Sequence, residues 1–425
     1  MAALPLGLRA WRWLGMAVTP LAPLLLRERA ARGKEERARM QERLGAPGLP
    51  RPEGRLIWVH GASVGESLAA LPLIERLLAQ GDAVLVTSGT VTSAAMMSAR
   101  LPKGAIHQYV PLDTPRAVSR FLDYWRPAAG LFVESDLWPT LLLAAKQRGI
   151  KLALINARIS ERSAARWRWV PNMARTLLGA FDMVLAQDED FAARFRALGA
   201  ANVTNVGSLK ADAPPLTCDP AALAAVKTIV GTRPVLLAAQ THPGEDETIL
   251  PAHDLLRNDF PDLLTIIVPR HVERGRDIAM LAGNRTVARR AAEEPVTEKT
   301  AIYIADTMNE LGLFYRLAPF CFLGGTLVPM GGHNPLEPAT LHRAILAGPS
   351  RANSAKAFEA ILGAQGFGAV HSAGDIAREA KRLFSSSENT RAAGEAAARG
   401  AAMLSGAVEK TITALDTLLD RHAGA

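Results

Sequence analysis

From Arg55 onward the chain alternates short apolar runs with longer stretches whose apolar residues recur at helical spacing. The first runs occupy residues 56–59, 83–87, 131–133, 152–155, 183–186 and 203–206. Short apolar strands separated by helices predict a parallel sheet covered on both faces. The pattern breaks at Lys210-Ala211-Asp212-Ala213-Pro214-Pro215 and restarts with runs at 235–239, 264–268, 301–304, 321–323 and 345–347. A similar series on each side of a Pro-containing polar break predicts two doubly wound α/β domains, with the crevice between them as the default ligand site. Val408, Ile412, Leu415 and Leu419 then recur at helical spacing and predict a long amphipathic C-terminal helix packed on a domain.

The N-terminus follows a different pattern. Residues 14–26 are apolar apart from Thr19, Pro20 and Pro23, and Arg9, Trp11, Arg12 and Trp13 precede them. Thirteen residues fall short of the about 20 that a membrane span needs. Arg27-Glu28-Arg29 stands where a signal peptide would carry small residues for cleavage. Seven basic and four acidic residues occupy 27–43. A Trp-flanked apolar segment leading into a basic one is the pattern of an interfacial membrane anchor; a core helix followed by a solvated charged helix is the alternative.

Composition narrows the class. The 425 residues, 49% of them hydrophobic, suffice for two or three domains with sizeable cores. A net charge of +8 favours an anionic partner, whether nucleic acid, an anionic membrane or a phosphorylated substrate. Cys218 and Cys321 lie far apart and form no CxxC pair, so neither a disulfide framework nor a zinc site is expected.

Candidate chemistry stands at the ends of the strands. The first run passes through His60-Gly61-Ala62-Ser63-Val64-Gly65 into a helix that opens near Glu66. Two glycines permit a sharp turn and close ligand approach, and Ser63 suits an N-cap. A carboxylate in a first helical turn stays ionised, so Glu66 is either a base or a cap of its own helix. Glu134-Ser135-Asp136 follows the third run; Glu134 reads equally as a functional carboxylate or as a cap or ion-pair partner. Arg158, Arg162 and Arg166 are four apart, as on one helix face, with Trp167 and Trp169 nearby. That face suits a phosphorylated lipid head group or simple solvation.

In the second half, Arg270 ends a strand, as bidentate phosphate binding would require. Gly324-Gly325-Thr326 through Gly331-Gly332-His333-Asn334-Pro335-Leu336-Glu337 reads as a glycine-rich loop leading to a helix start that offers N–H groups to an anion. Glu337, a turn inside, suits ribose hydroxyls. The loop fits neither GxGxxG nor GxxxxGK[ST], which argues against a Rossmann dehydrogenase and a P-loop NTPase. Asp188-Glu189-Asp190 resembles a metal-binding DxD but sits where Asp188 would cap a helix. His242, Glu245 and Asp246 lack the spacing of a metal site, so no protein-bound metal is expected.

Taken together these motifs resemble the 3-deoxy-D-manno-octulosonic acid (Kdo) transferases of lipid A assembly. The resemblance runs through Gln41-Glu42-Arg43-Leu44-Gly45, HGASVGE ending at Glu66, Pro111-Leu112-Asp113, Glu134 to Pro139, and Asn156 to Ser160. It continues through Lys210, Thr241 to Glu245, Pro269 to His271, Asp306 to Leu311, and Gly331 to Ala339. It implies a GT-B architecture of two Rossmann-like domains facing across a cleft. On that plan residues 1–45 form the membrane-associated segment, 46–208 the acceptor domain, 209–215 the linker, 216–385 the CMP-Kdo domain, and 386–425 the C-terminal helix.

The implied reaction moves Kdo from CMP-Kdo to the 6′-hydroxyl of lipid IVA, a tetraacyl disaccharide bisphosphate, at the cytoplasmic face of the inner membrane. Neither a metal, another cofactor nor nucleic acid takes part. By resemblance Glu66 is the base, and Glu134 and Lys210 stabilise the transition state. Pro269, Arg270, Met308, Asn309, Glu310, Asn334, Pro335, Leu336 and Glu337 hold CMP, while Ser63, Arg158 and Arg162 are assigned to the acceptor. The sequence departs from the family at Asn309 (usually Gly), Thr140 (commonly Asn) and Ser208 (commonly Asn). Two other classes stay in view: a GT-B enzyme for a different nucleotide sugar, and a basic non-catalytic binder of nucleic acid or membranes, which would show steeply salt-dependent binding.

Overall fold

The computed structural model describes residues 4–420; residues 1–3 and 421–425, part of the expected N-terminal segment and C-terminal helix, lie outside the described residues. The chain divides into two compact units. The first comprises the chain up to Ala213 and from Ser405 on; the second is Pro214–Leu404.

The first unit is built on β1 (Leu56–His60), β2 (Ala83–Ser88), β3 (Ala105–Tyr109), β4 (Ala129–Val133), β5 (Lys151–Ala157), β6 (Met183–Ala186) and β7 (Val203–Asn205). All pair in parallel, in the order β3-β2-β1-β4-β5-β6-β7. Along β1, Leu56 and Trp58 enter the core on one face of the sheet and Ile57 and Val59 the core on the other. Both faces are covered, so the strand is apolar throughout instead of alternating. Trp58 packs edge-on against Phe121 and Phe132 and donates its indole N–H to Thr87 Oγ1 at 2.8 Å. The strand order reverses between β1 and β4, where His60 lies opposite Phe132. Loops leaving such a switch point diverge and open a crevice at the carboxyl edge.

The second unit repeats the plan with β8 (Val235–Thr241), β9 (Leu264–Pro269), β10 (Val287–Arg289), β11 (Ile302–Ile304), β12 (Phe320–Leu323), β13 (Ala344–Ala347) and β14 (Phe367–Ala369). Its parallel order is β10-β11-β9-β8-β12-β13-β14, with the switch between β8 and β12. Each of the eleven apolar runs coincides with a strand to within two residues. The three strands that the pattern misses, β3, β10 and β14, all lie at sheet edges. An edge strand is covered less completely and needs no continuous apolar run, so Ala105–Tyr109 carries His107 and Gln108.

The expected single C-terminal helix is two helices, Ser387–Ala402 and Ala407–Leu418. Gly406 breaks the run at φ 92°, a conformation that glycine adopts without a Cβ penalty. The first helix belongs to the second unit, while the second returns to the first and buries Val408, Ile412 and Leu415 beneath its sheet. Asp212 fixes that return, its carboxylate accepting the N–H groups of Gly406 and Val408 at 2.6 Å each.

The N-terminal segment forms helices Leu6–Val18 and Ala22–Ala31, the first packed on helices Pro115–Trp125 and Pro139–Gln147 of the same unit. Trp11 donates to Asp113 Oδ2 at 2.7 Å. Leu6, Trp13, Leu14, Leu21, Leu24 and Leu25 stay exposed on this pair. The basic segment behind it is laced with ion pairs. Arg29 and Arg43 share Glu35, Arg32 pairs with Glu28 and Arg39 with Glu42, so four of the seven cations are paired within the segment, on three carboxylates. Glu42 also accepts the Tyr109 N–H at 2.8 Å, docking the segment on β3. No helix among the described residues is long and apolar enough to cross a membrane.

Candidate functional site

Each unit carries a cluster of polar side chains at the carboxyl edge of its sheet. In the first unit the chain leaves β1 through Gly61, where a Cβ would come within 3.0 Å of the Ser67 nitrogen, and enters helix Val64–Ala69. Ser63 caps that helix, accepting the Glu66 N–H at 3.4 Å, and its hydroxyl donates to Glu66 Oε1 at 2.8 Å. The Ala62 N–H donates to Oε2 at 2.7 Å. Glu66 therefore does cap its own helix. Its half-buried carboxylate is held by one donor per oxygen, which leaves further lone pairs on each to accept a proton.

Glu134 follows β4 in the left-handed region at φ 66°, a conformation costing a non-glycine residue on the order of 1 kcal/mol or more. Its N–H donates to Ile155 and its carbonyl accepts from Arg158, which locks the bend between β4 and β5. The side chain is 17% exposed, with Oε1 3.2 Å from Lys210 Nζ and Oε2 3.9 Å from Arg158 Nε. Lys210 rides on the short turn Leu209–Asp212. That turn hangs from Asn156, fully buried at φ 48°, whose Oδ1 accepts the Leu209 N–H at 3.0 Å and the Ser208 hydroxyl at 3.5 Å.

The structure thus brings Glu134, Lys210 and Arg158 together, but not in the way the arginine spacing suggests. Ser160 caps the helix Glu161–Trp167, accepting the Ser163 N–H, so Arg158 lies before the helix and turns toward Glu134. Arg162 sits exposed in that helix's first turn, and Arg158 shares no helical face with it or with Arg166.

Sequence reasoning missed the pair His60 and Asp136. Buried His60 places Nε2 3.0 Å from Asp136 Oδ2 and Nδ1 2.9 Å from Thr87 Oγ1, while Trp138 donates to the same Asp136 oxygen at 2.9 Å. Burial pushes the Asp136 carboxyl upward, but the His60 hydrogen bond and charge, with Trp138, outweigh it and hold the group below its ordinary range. The available signal was Asp136 two positions after Glu134, at the end of the strand beside β1.

In the second unit the glycine-rich loop differs from the expected anion cradle. Glu245, fully buried, takes the N–H groups of His242, Gly325, Thr326 and Leu327 at 2.7–3.0 Å. Gly331 donates to Ser350, Gly332 to Gly325 and His333 to Gly324. The loop is an anion nest, but a carboxylate of the chain itself fills it. Beside it His242 Nε2 lies 2.9 Å from His333 Nε2, with the rings 7° from parallel.

Arg270, at the end of β9, is exposed, and its charge reaches His242, His333 and Glu337. Asn334 turns its Oδ1 onto the Leu336 N–H, so Pro335 and Leu336 lead into the short helix Leu336–Ala339 that carries Glu337. Burial lifts the Glu337 carboxyl to about 7 against opposing effects of Asn334 and Arg270, and its Oε2 has no partner. Met308 is 60% exposed, and Asn309 stands at φ 65°. Glycine favours that region and Asn is among the few other residues tolerating it, which explains how Asn309 replaces the family's usual Gly. Glu310 is tied within its own unit. Arg290 grips it with two nitrogens, Thr307 donates to it, and Arg290 holds it below its ordinary range. Pro269, at the strand end, precedes Arg270.

Two doubly wound parallel units, each with its polar side chains at the carboxyl edge, define the GT-B architecture. The same fold occurs in a glycosyltransferase from Rickettsia africae, with a TM-score of 0.58 and 12% identity over 87% of this chain and 99% of that one. Residues 38–213 match the family described as 3-deoxy-D-manno-octulosonic-acid transferase (kdotransferase). The 3-deoxy-D-manno-octulosonic acid transferase of Haemophilus influenzae is 33% identical over 91% of this chain and 92% of its own length. That of Bordetella pertussis is 33% identical over 95% and 98%. The chain belongs to the Kdo transferase family.

Proposed function

We propose that the protein transfers Kdo from CMP-Kdo to the 6′-hydroxyl of lipid IVA with inversion, in lipid A and lipopolysaccharide assembly. The observation that carries the reading is Glu66, a half-buried carboxylate clamped by Ala62 and Ser63 at the switch point of the first sheet, with lone pairs left over. Such a group is fixed in direction and able to remove the acceptor proton. Lys210, offset by Glu134, and the exposed Arg270 meet the charge that develops as the sugar–phosphate bond breaks. With cations of the chain in that role, the transfer proceeds without a resident metal. Glu337 Oε2, buried without a donor, takes a ribose hydroxyl, and Pro269, Met308, Asn309 and Asn334 to Leu336 frame the nucleotide.

The exposed leucines and Trp13 of the N-terminal helices, with Arg9, Arg12 and Arg27, rest on the anionic cytoplasmic face of the inner membrane, and Arg158 and Arg162 meet the acceptor's phosphates. The test is mass spectrometry of lipid IVA incubated with the protein and freshly generated CMP-Kdo. Added Kdo masses support the assignment; unchanged lipid with folded protein sinks it, and a UDP-sugar screen then decides between donors.

A further inference from the structure

The pair His242 and His333, which meet edge to edge with their rings 7° from parallel, has no part in the reading above, and its geometry dictates its protonation. Two nitrogens 2.9 Å apart must share a single proton, one Nε2–H donating to a bare Nε2. With both rings neutral, the second proton sits on the outer Nδ1 of the accepting ring, and the other Nδ1 is bare. Neither Nδ1 has a hydrogen-bond partner among the described residues, although His242 is only 7% exposed.

The surroundings are cationic. Arg270, His271 and Arg274 face His242, and Arg270 and His271 face His333. Arg274 is matched by Asp246, and His271 lies 3.9 Å from Glu273; Arg270 has no carboxylate partner among the described residues. Glu245 is the one carboxylate charge acting on His242, and four backbone N–H groups already absorb it. Burial and these cations hold His242 below the ordinary imidazole range and His333 at about 4, so the pair is neutral near pH 7.

We propose that His242 and His333 form a proton-sharing pair that takes up one proton when a phosphate anion docks beside Arg270. The inference rests on the donor site proposed above. Uptake turns the bare Nδ1 into a donor, leaving both outer nitrogens protonated around the shared Nε2 proton. An anion within about 4–6 Å raises an imidazole by about 1–3 pKa units, which carries His333 from about 4 to about 5–7. During transfer the acceptor hydroxyl gives its proton to Glu66 and its oxygen to the sugar. The electrons of the broken sugar–oxygen bond go to the phosphate oxygen, and an Nδ1–H donates a hydrogen bond to it.

The test is calorimetric titration of CMP at pH 6 in buffers of different ionisation enthalpy, for wild type, His333→Gln and His242→Gln, with cytidine as the phosphate-free probe. CMP's own phosphate and the Glu337 carboxyl titrate in every protein, so the wild-type-minus-variant difference isolates the pair. The expected difference is on the order of half a proton per CMP, and none with cytidine. Wild type and both variants binding CMP with equal proton counts overturns the pair. Wild type that fails to bind CMP overturns the donor site itself. Should the variants fail to fold, 15N-histidine-labelled wild type decides: CMP must move Nδ1 resonances into the protonated range, and static resonances refute the proposal.

Discussion

Glu66 meets both descriptions the sequence allows, a cap and a base, and two substitutions separate them. In Glu66→Ala the Ala62 N–H loses its acceptor at 2.7 Å and the Ser63 hydroxyl its partner at 2.8 Å. The N-cap itself survives, since Ser63 still accepts the residue-66 N–H. The loss is therefore about 1 kcal/mol, a fall of about 2–4 °C in melting temperature for a unit of this size. Removing the base is a far larger effect, about a hundredfold to ten-thousandfold in transfer, or about 3–5 kcal/mol of barrier. Glu66→Gln distinguishes the two. Its amide oxygen can still accept from Ala62, while its NH2 can donate to a reoriented Ser63 hydroxyl, so stability stays within about 0.5 kcal/mol. Because an amide is not a base, transfer falls as far as in the alanine variant. The assays are Kdo transfer to lipid IVA by mass spectrometry and melting by scanning calorimetry. A glutamine variant retaining more than about a tenth of wild-type turnover would falsify the base assignment and leave Glu66 as a cap.

Glu245→Gln replaces a buried acceptor of four N–H groups by an amide that turns its own NH2 toward two of them. Urea unfolding should show a loss of about 3 kcal/mol or more, with CMP binding abolished; a loss under about 1 kcal/mol contradicts the nest. Asn309→Gly should leave melting within about 2 °C, whereas Asn309→Val at φ 65° should cost about 1–2 kcal/mol; equal melting of the two refutes the backbone argument. Glu337, raised by burial from 4.5 to about 7, is favoured in its protonated form by the fold. Its stabilisation is complete below about pH 4.5 and is lost as pH rises through about 7, a change on the order of 3 kcal/mol. Urea melts at pH 5 and pH 8 should show that loss in wild type but not in Glu337→Gln.

How much of this was readable in the sequence follows from how far each feature depends on distant residues. Central strands such as Met183–Ala186 are apolar throughout because both faces are covered, so their runs announce them; three of the four edge strands, Val287–Arg289 among them, are short or carry polar residues and stay silent. Local capping was equally legible. Ser63 caps Glu66's helix and Asp188 accepts the Phe191 N–H at 2.8 Å, each acting over three residues. The same locality misled at Arg158, where four-residue spacing fits a helix that Ser160 starts two positions too late. At the glycine loop the error came from range. Gly325, Thr326 and Leu327 do form an anion nest, but its occupant, Glu245, stands about 80 positions earlier and meets the loop because β8 and β12 are neighbours in the sheet. His60 with Asp136, 76 positions apart, and His242 with His333, 91 apart, arise in the same way, each bridging the two strands at a switch point. The topology that the hydrophobic pattern predicts thus decides which distant polar residues meet. In both units it sets a histidine at the end of one switch-point strand, or just past it, against a polar residue beyond the end of the other.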